Sequence, residues 1–84
     1  MKLTNTRAKG LPAPTDKGQA FHWDSETRGF GLRITSAGAK SWVVQGRVQG
    51  KTRRFTLGPF ELLSADEARK RALAKLLEMY DGKD

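Results

Sequence analysis

From Gly29 onward, apolar and polar residues alternate with a period close to two. In Phe30 to Thr35, the apolar Phe30, Leu32 and Ile34 share one face and Arg33 and Thr35 the other, as in a half-buried strand. Ser36-Ala37-Gly38-Ala39 supplies a connection. The next run, Lys40 to Val48, sets Trp42, Val44 and Val48 on one face and Val43, Gln45 and Arg47 on the opposite one. Gln49-Gly50 is a short hairpin signal, with glycine where a positive φ is needed. Thr52 to Leu57 then turns Phe55 and Leu57 inward and Thr52, Arg54 and Thr56 outward. Adjacent strands joined by such short turns predict an antiparallel meander, apolar on one side and polar on the other.

The apolar side needs a cover, and the period changes to that of a helix after Leu63. Ser64-Ala65-Asp66-Glu67 fits a capping box, with Leu63 placed to staple against Ala68. Beyond the cap, Ala65, Ala68, Ala72, Leu73, Leu76, Met79 and Tyr80 cluster on one side of a helical wheel. Gly82 is the expected stop, which gives a helix from Ala65 to Tyr80. Upstream, Gly10, Pro12, Pro14 and Gly18 favour loop, with Thr4 or Thr6 capping one helical turn anchored by Leu3 and Leu11. Ala20 to Trp23 is a candidate short strand, followed by a turn at Asp24-Ser25-Glu26-Thr27. The expected fold class is α+β: a three-stranded antiparallel β-sheet packed against a C-terminal α-helix, with a short N-terminal helical turn or strand. Residues 1–19 are expected to form an N-terminal arm or loop and residues 20–81 a single domain. Trp23 and Trp42 are expected in the core, and Arg69, whose angle falls inside the apolar stripe, beside Asp24, Glu61 or a phosphate.

Composition narrows the chemistry. A chain of 84 residues has room for one modest core. It has no cysteine and one histidine, which removes disulfides, zinc fingers and iron-sulfur sites from consideration; no metal or other cofactor is expected. The N-terminus lacks the apolar stretch of a signal peptide, and no run of about 18 apolar residues occurs, so a cytoplasmic protein with no membrane partner is expected. The net charge of +7 is unevenly spread. Residues 27–60 carry Arg28, Arg33, Lys40, Arg47, Lys51, Arg53 and Arg54 and no carboxylate, whereas the flanking segments are nearly neutral. Such a segment favours a polyanion.

The outward face combines that charge with hydrogen-bonding groups. Arginine forks onto guanine or phosphate, glutamine pairs with adenine, and threonine offers a methyl to thymine. Polar sheet faces ordinarily mix acids with bases to stay soluble, and this one has none of the former. The candidate DNA contacts are Arg33, Thr35, Gln45, Arg47, Arg54 and Thr56, with Lys40 and Lys51 at the turns and Arg53 in the same basic run. No catalytic residue is expected. His22 stands alone, Asp24 and Glu26 lie at a turn without a cleft, and Gly29-Phe30-Gly31 lacks the third glycine of a phosphate loop.

Several segments together resemble a known family. Trp23-Asp24, Arg28 to Thr35, Gly38-Ala39-Lys40-Ser41-Trp42, Thr56-Leu57-Gly58, Leu63-Ser64 and Glu67-Ala68-Arg69 are similar in order and spacing to the N-terminal domain of phage and genomic-island tyrosine integrases. The resemblance extends from Leu3 to about Leu77. It implies an arm-type DNA-binding domain that recognises sites flanking the recombination core. It further implies that a core-binding and a catalytic domain follow in a longer chain, so the rest of the integrase and other protomers are expected partners beside double-stranded DNA. The catalytic arginines and tyrosine nucleophile of that family have no counterparts here. Two competing readings are a double-stranded RNA-binding module, which shares the order of short helix, strands and long helix, and a module binding an acidic protein. Asp66 and Glu67 stand where the RNA-binding fold would carry its lysines.

Overall fold

The alternating segments pair into one antiparallel meander in a computed structural model that describes residues 2–15 and 18–81. In chain order the elements are α1 (Asn5–Gly10), β1 (Gln19–Trp23), β2 (Phe30–Thr35), β3 (Lys40–Val48), β4 (Lys51–Pro59) and α2 (Ala65–Tyr80). The sheet order is β1-β2-β3-β4, so the sheet has four strands rather than three. The added strand is β1, which pairs along β2 from Gln19 opposite Thr35 to Trp23 opposite Gly31. Without it, the free edge of β2 would present unpaired backbone groups. Leu32 stands opposite Trp42 and Val44 opposite Phe55, which aligns the inward residues of β2, β3 and β4. Between β3 and β4, Gln49 and Gly50 have φ of 52° and 82°, both positive as a two-residue type I′ turn requires.

The core lies between the sheet and α2. Phe30, Leu32, Ile34, Trp42 and Val44 are fully buried against Ala65, Ala68, Ala72 and Met79. Alanines at the start of α2 let its backbone approach the sheet, and near its end Gly46 does the same from β3: a Cβ there would lie 2.7 Å from Met79 Sδ. Trp42 also holds the segment before α2, donating from Nε1 to the Leu63 carbonyl at 2.7 Å. The N-terminal segment belongs to this same core. Thr4 caps α1 by accepting from the Arg7 amide, and the flanking Leu3 and Ala8 are fully buried.

Helix α2 starts where its cap predicts, with Ser64 Oγ accepting from the Glu67 amide at 3.2 Å. A second cap comes from a distance: Asn5 Oδ1 accepts from the Ala65 amide at 2.6 Å. The helical face is narrower than the wheel implies. Leu73 and Tyr80, expected against the sheet, are 54% and 88% exposed, because the sheet reaches only the stripe of Ala65, Ala68, Ala72, Leu76 and Met79. The expected stop at Gly82 lies outside the described residues.

Asp24 ties these parts together from a side chain with no solvent exposure. Its Oδ1 accepts from the Leu3 amide at 2.6 Å and from Arg69 at 3.2 Å. Its Oδ2 accepts from the amides of Thr27 at 2.6 Å and Glu26 at 3.0 Å. Arg69, the partner on α2, also donates to the Leu3 carbonyl at 2.7 Å and pairs with Asp66. Of the placements open to Arg69, the fold takes Asp24. Burial alone would raise the carboxyl's pKa, but the Leu3 and Thr27 amides and Arg69 outweigh it and hold it below the ordinary value.

Two stability predictions follow from these contacts. Ser64→Ala should lower unfolding free energy by about 0.5 to 2 kcal/mol, measured by denaturant titration, and an unchanged midpoint would contradict the cap. Asp24→Asn should cost about 3 to 5 kcal/mol, because Arg69 would lose its buried counter-charge. The folded pKa is depressed, so the carboxylate's contribution is complete above the unfolded value of 3.8 and is lost as pH falls toward the folded value. Stability measured below about pH 4 should therefore fall with acid more steeply in the native chain than in Asp24→Asn.

Candidate nucleic-acid interface

The register sorts the outward residues into rows across the sheet. Gln45 faces Arg54, Arg47 faces Thr52, and Val43 faces Thr56. On the other side of β3, Val43 faces Gly31 and Ser41 faces Arg33. In β1, Phe21 stands opposite Arg33 and Trp23 opposite Gly31. One surface thus gathers Arg33, Thr35, Gln45, Arg47, Thr52, Arg54 and Thr56, and no carboxylate occurs in residues 27–60. Pairing between β2 and β3 ends at Phe30 and Val44, whereas β3 and β4 remain paired as far as Val48 and Lys51. The end of the hairpin therefore extends beyond β2 as a two-stranded ribbon.

The arginines on this surface are constrained. Arg54 donates from Nε to Gln45 Oε1 at 3.2 Å while its guanidinium lies 4.3 Å from the centre of the Phe21 ring. Arg47 reaches the Gly50 carbonyl at the hairpin turn. Arg33 Nε is buried, and no described residue accepts from it. Lys51 is exposed beside the turn. At the end of the sheet, a groove of about 670 Å³ is lined by Trp23, Asp24, Arg28, Gly29, Gln45, Gly46, Arg47 and Thr52, with Leu76 from α2 at its side.

Two of the expected contacts lie elsewhere. Lys40 begins β3 directly after the turn, but its ammonium is engaged within the fold: it donates to the carbonyls of Ala8 and Lys9, both at 2.8 Å, at the end of α1. The Ala8 carbonyl also accepts from the Leu11 amide at 3.3 Å, and a cation at a helix C-terminus complements these terminal carbonyls. Arg53 faces Gly46 and so belongs to the α2 side of the sheet, away from Arg54.

The alternation missed an aromatic pair. Trp23, expected in the core, is 40% exposed on the outward surface. Phe21 and Trp23 stack there with ring centres 5.7 Å apart and planes 5° from parallel. The indole lies over Gly31, where a Cβ would come within 2.5 Å of its Cε3 atom. A glycine inside a strand was the available signal, since it marks close approach by another group.

A family model described as Arm DNA-binding domain matches residues 3–84. Prophage integrase IntF of Escherichia coli (strain K12) is 38% identical over 71 residues, covering 84% of this chain and 15% of the relative. The chain thus spans only a small part of that relative's length.

The position of Lys40 leads to a structural test. Lys40→Ala should destabilise the fold by about 1 to 3 kcal/mol and expose the end of α1, seen as faster amide hydrogen exchange there. Unchanged exchange in α1 would show that the ammonium does not hold it.

Proposed function

The chain belongs to the Arm DNA-binding domain family, and we propose that it serves a phage-type tyrosine integrase by recognising arm-type sites in duplex DNA during site-specific integration. The carrying observation is the outward sheet surface, where Arg33, Arg47 and Arg54 stand among Gln45, Thr35, Thr52 and Thr56 without a carboxylate in residues 27–60. A two-stranded ribbon is thin enough to enter a major groove about 12 Å wide. Arg47 and Arg54 read guanine, the amide of Gln45 reads adenine, and Lys51 meets phosphate at the turn. The remainder of the recombinase supplies strand cleavage and joining.

The test separates base reading from charge. Arg47→Ala or Arg54→Ala should cost about 1 to 3 kcal/mol on duplexes selected from a random library and relax their sequence preference. Lys51→Ala should weaken all duplexes alike and make the log-log salt slope shallower by about one. Lys70→Ala and Arg71→Ala remove equal charge from exposed positions on α2 and should change little. Equal weakening by sheet and helix variants would overturn the sheet-face mechanism, and tighter binding to duplex RNA would overturn DNA as the ligand.

A further inference from the structure

The aromatic pair on the sheet has no role in the core. Trp42 is fully buried and belongs to the core cluster, but Trp23 is outside it and 40% exposed. Among the described residues, the other exposed large hydrophobics are Leu62, Leu73, Leu77 and Tyr80, which lie on α2 or just before it. Trp23 is thus the large apolar group that the sheet itself offers to solvent. It stacks on Phe21, and Phe21 in turn supports the guanidinium of Arg54. Beneath this layer, outward-facing Val43 has no solvent exposure, so the middle of the surface is apolar within a basic and polar rim.

We infer that Trp23, backed by Phe21, forms a platform for the 5-methyl group of thymine, beside a guanine read by Arg54. This rests on the proposed binding of duplex DNA by the sheet. In the major groove, the thymine methyl is the one apolar feature among donors and acceptors, so an exposed indole there matches thymine and no other base. Arg54 is already oriented: Nε is engaged by Gln45 and the ring lies against its plane, which leaves its terminal nitrogens to fork onto guanine O6 and N7. Trp23 and Arg54 both pack on Phe21, 5.7 Å and 4.3 Å from its ring centre, so the indole and the guanidinium lie close enough together to address neighbouring bases. Phe21 acts through Arg54 as a positioning residue, and Trp23 sets specificity by direct contact.

Duplexes selected from a random library should contain a thymine next to a guanine. Resynthesis with deoxyuridine at that thymine removes only the methyl, and should weaken binding roughly four-fold, the factor corresponding to about 0.8 kcal/mol per buried carbon. In Trp23→Ala the two duplexes should bind alike. Phe21→Leu should leave the melting temperature nearly unchanged yet reduce the penalty for replacing the guanine, and that reduction should vanish in an Arg54→Ala background. A readout in the unaltered chain guards against misfolding of the variants. Trp42 is fully buried, so acrylamide quenching reports Trp23, and the thymine duplex should protect it more than the deoxyuridine duplex. Equal affinity for the two duplexes, equal protection, or selected sites without the thymine-guanine step would overturn the platform while leaving DNA binding intact. Failure to bind any duplex would overturn both readings.

Discussion

A single buried carboxylate organises this domain. Asp24 receives donors from the segment before α1, from the turn between β1 and β2, and from α2, so three separate pieces of chain converge on two oxygen atoms. An isolated charge in such a place would be strongly destabilising, and a buried pair alone often does no better than apolar packing. Here the charge is balanced by Arg69 and both oxygens are filled by backbone amides, so the group specifies where the pieces lie as well as that they associate. Arg69 extends the arrangement by donating to the Leu3 carbonyl and lying 5.3 Å from the centre of the Phe30 ring. The N-terminal segment is thereby fixed through backbone groups on both sides of Leu3.

That junction also sets the outward surface. Trp23 immediately precedes Asp24, and the Asp24 amide donates to the Phe30 carbonyl at 2.8 Å, locking the start of β2 against the end of β1. Register then places the indole over Gly31 and the Phe21 ring within reach of Arg54. The charge distribution follows the same division: β2 to β4 carry cations without acids, whereas Asp66, Glu67 and Glu78 lie on α2 and Glu61 just before it. A small domain has little interior to spare, and this one assigns each sheet face a different task. One face is closed by alanines, Gly46 and Met79; the other remains open.

What the sequence revealed depended on the range of the interaction. Period-two alternation in β2, β3 and β4, the Gln49-Gly50 turn and the Ser64 cap are local patterns, and each appears at its expected place. The basic surface was legible because alternation and charge coincide in residues 27–60. Trp23 was misplaced because its hydrophobicity suggests burial, whereas its facing is decided by pairing with Gly31, which no local pattern in β1 encodes. The partners of the Lys40 ammonium were hidden for a related reason. Its carbonyl partners are 31 and 32 residues away, at the end of a six-residue helix whose position depends on Asp24. Leu73 and Tyr80 show a third limit: a helical wheel gives the angle of a side chain but not the width of the sheet beneath it.

The same contacts determine what a ligand must do on arrival. Long side chains at a binding surface ordinarily lose about 0.5 to 1.5 kcal/mol each when they are ordered. Arg54 is held between Gln45 and Phe21, Arg47 reaches back to Gly50, and Arg33 has its Nε buried, so part of that ordering is present before any partner binds. Charge alone would favour any polyanion, because attraction to phosphate is insensitive to the exact direction of each cation. Constraint on direction matters only for a partner whose acceptors occupy fixed positions. The arrangement of these arginines on the sheet is therefore of the kind that the proposed reading of bases in a DNA groove requires.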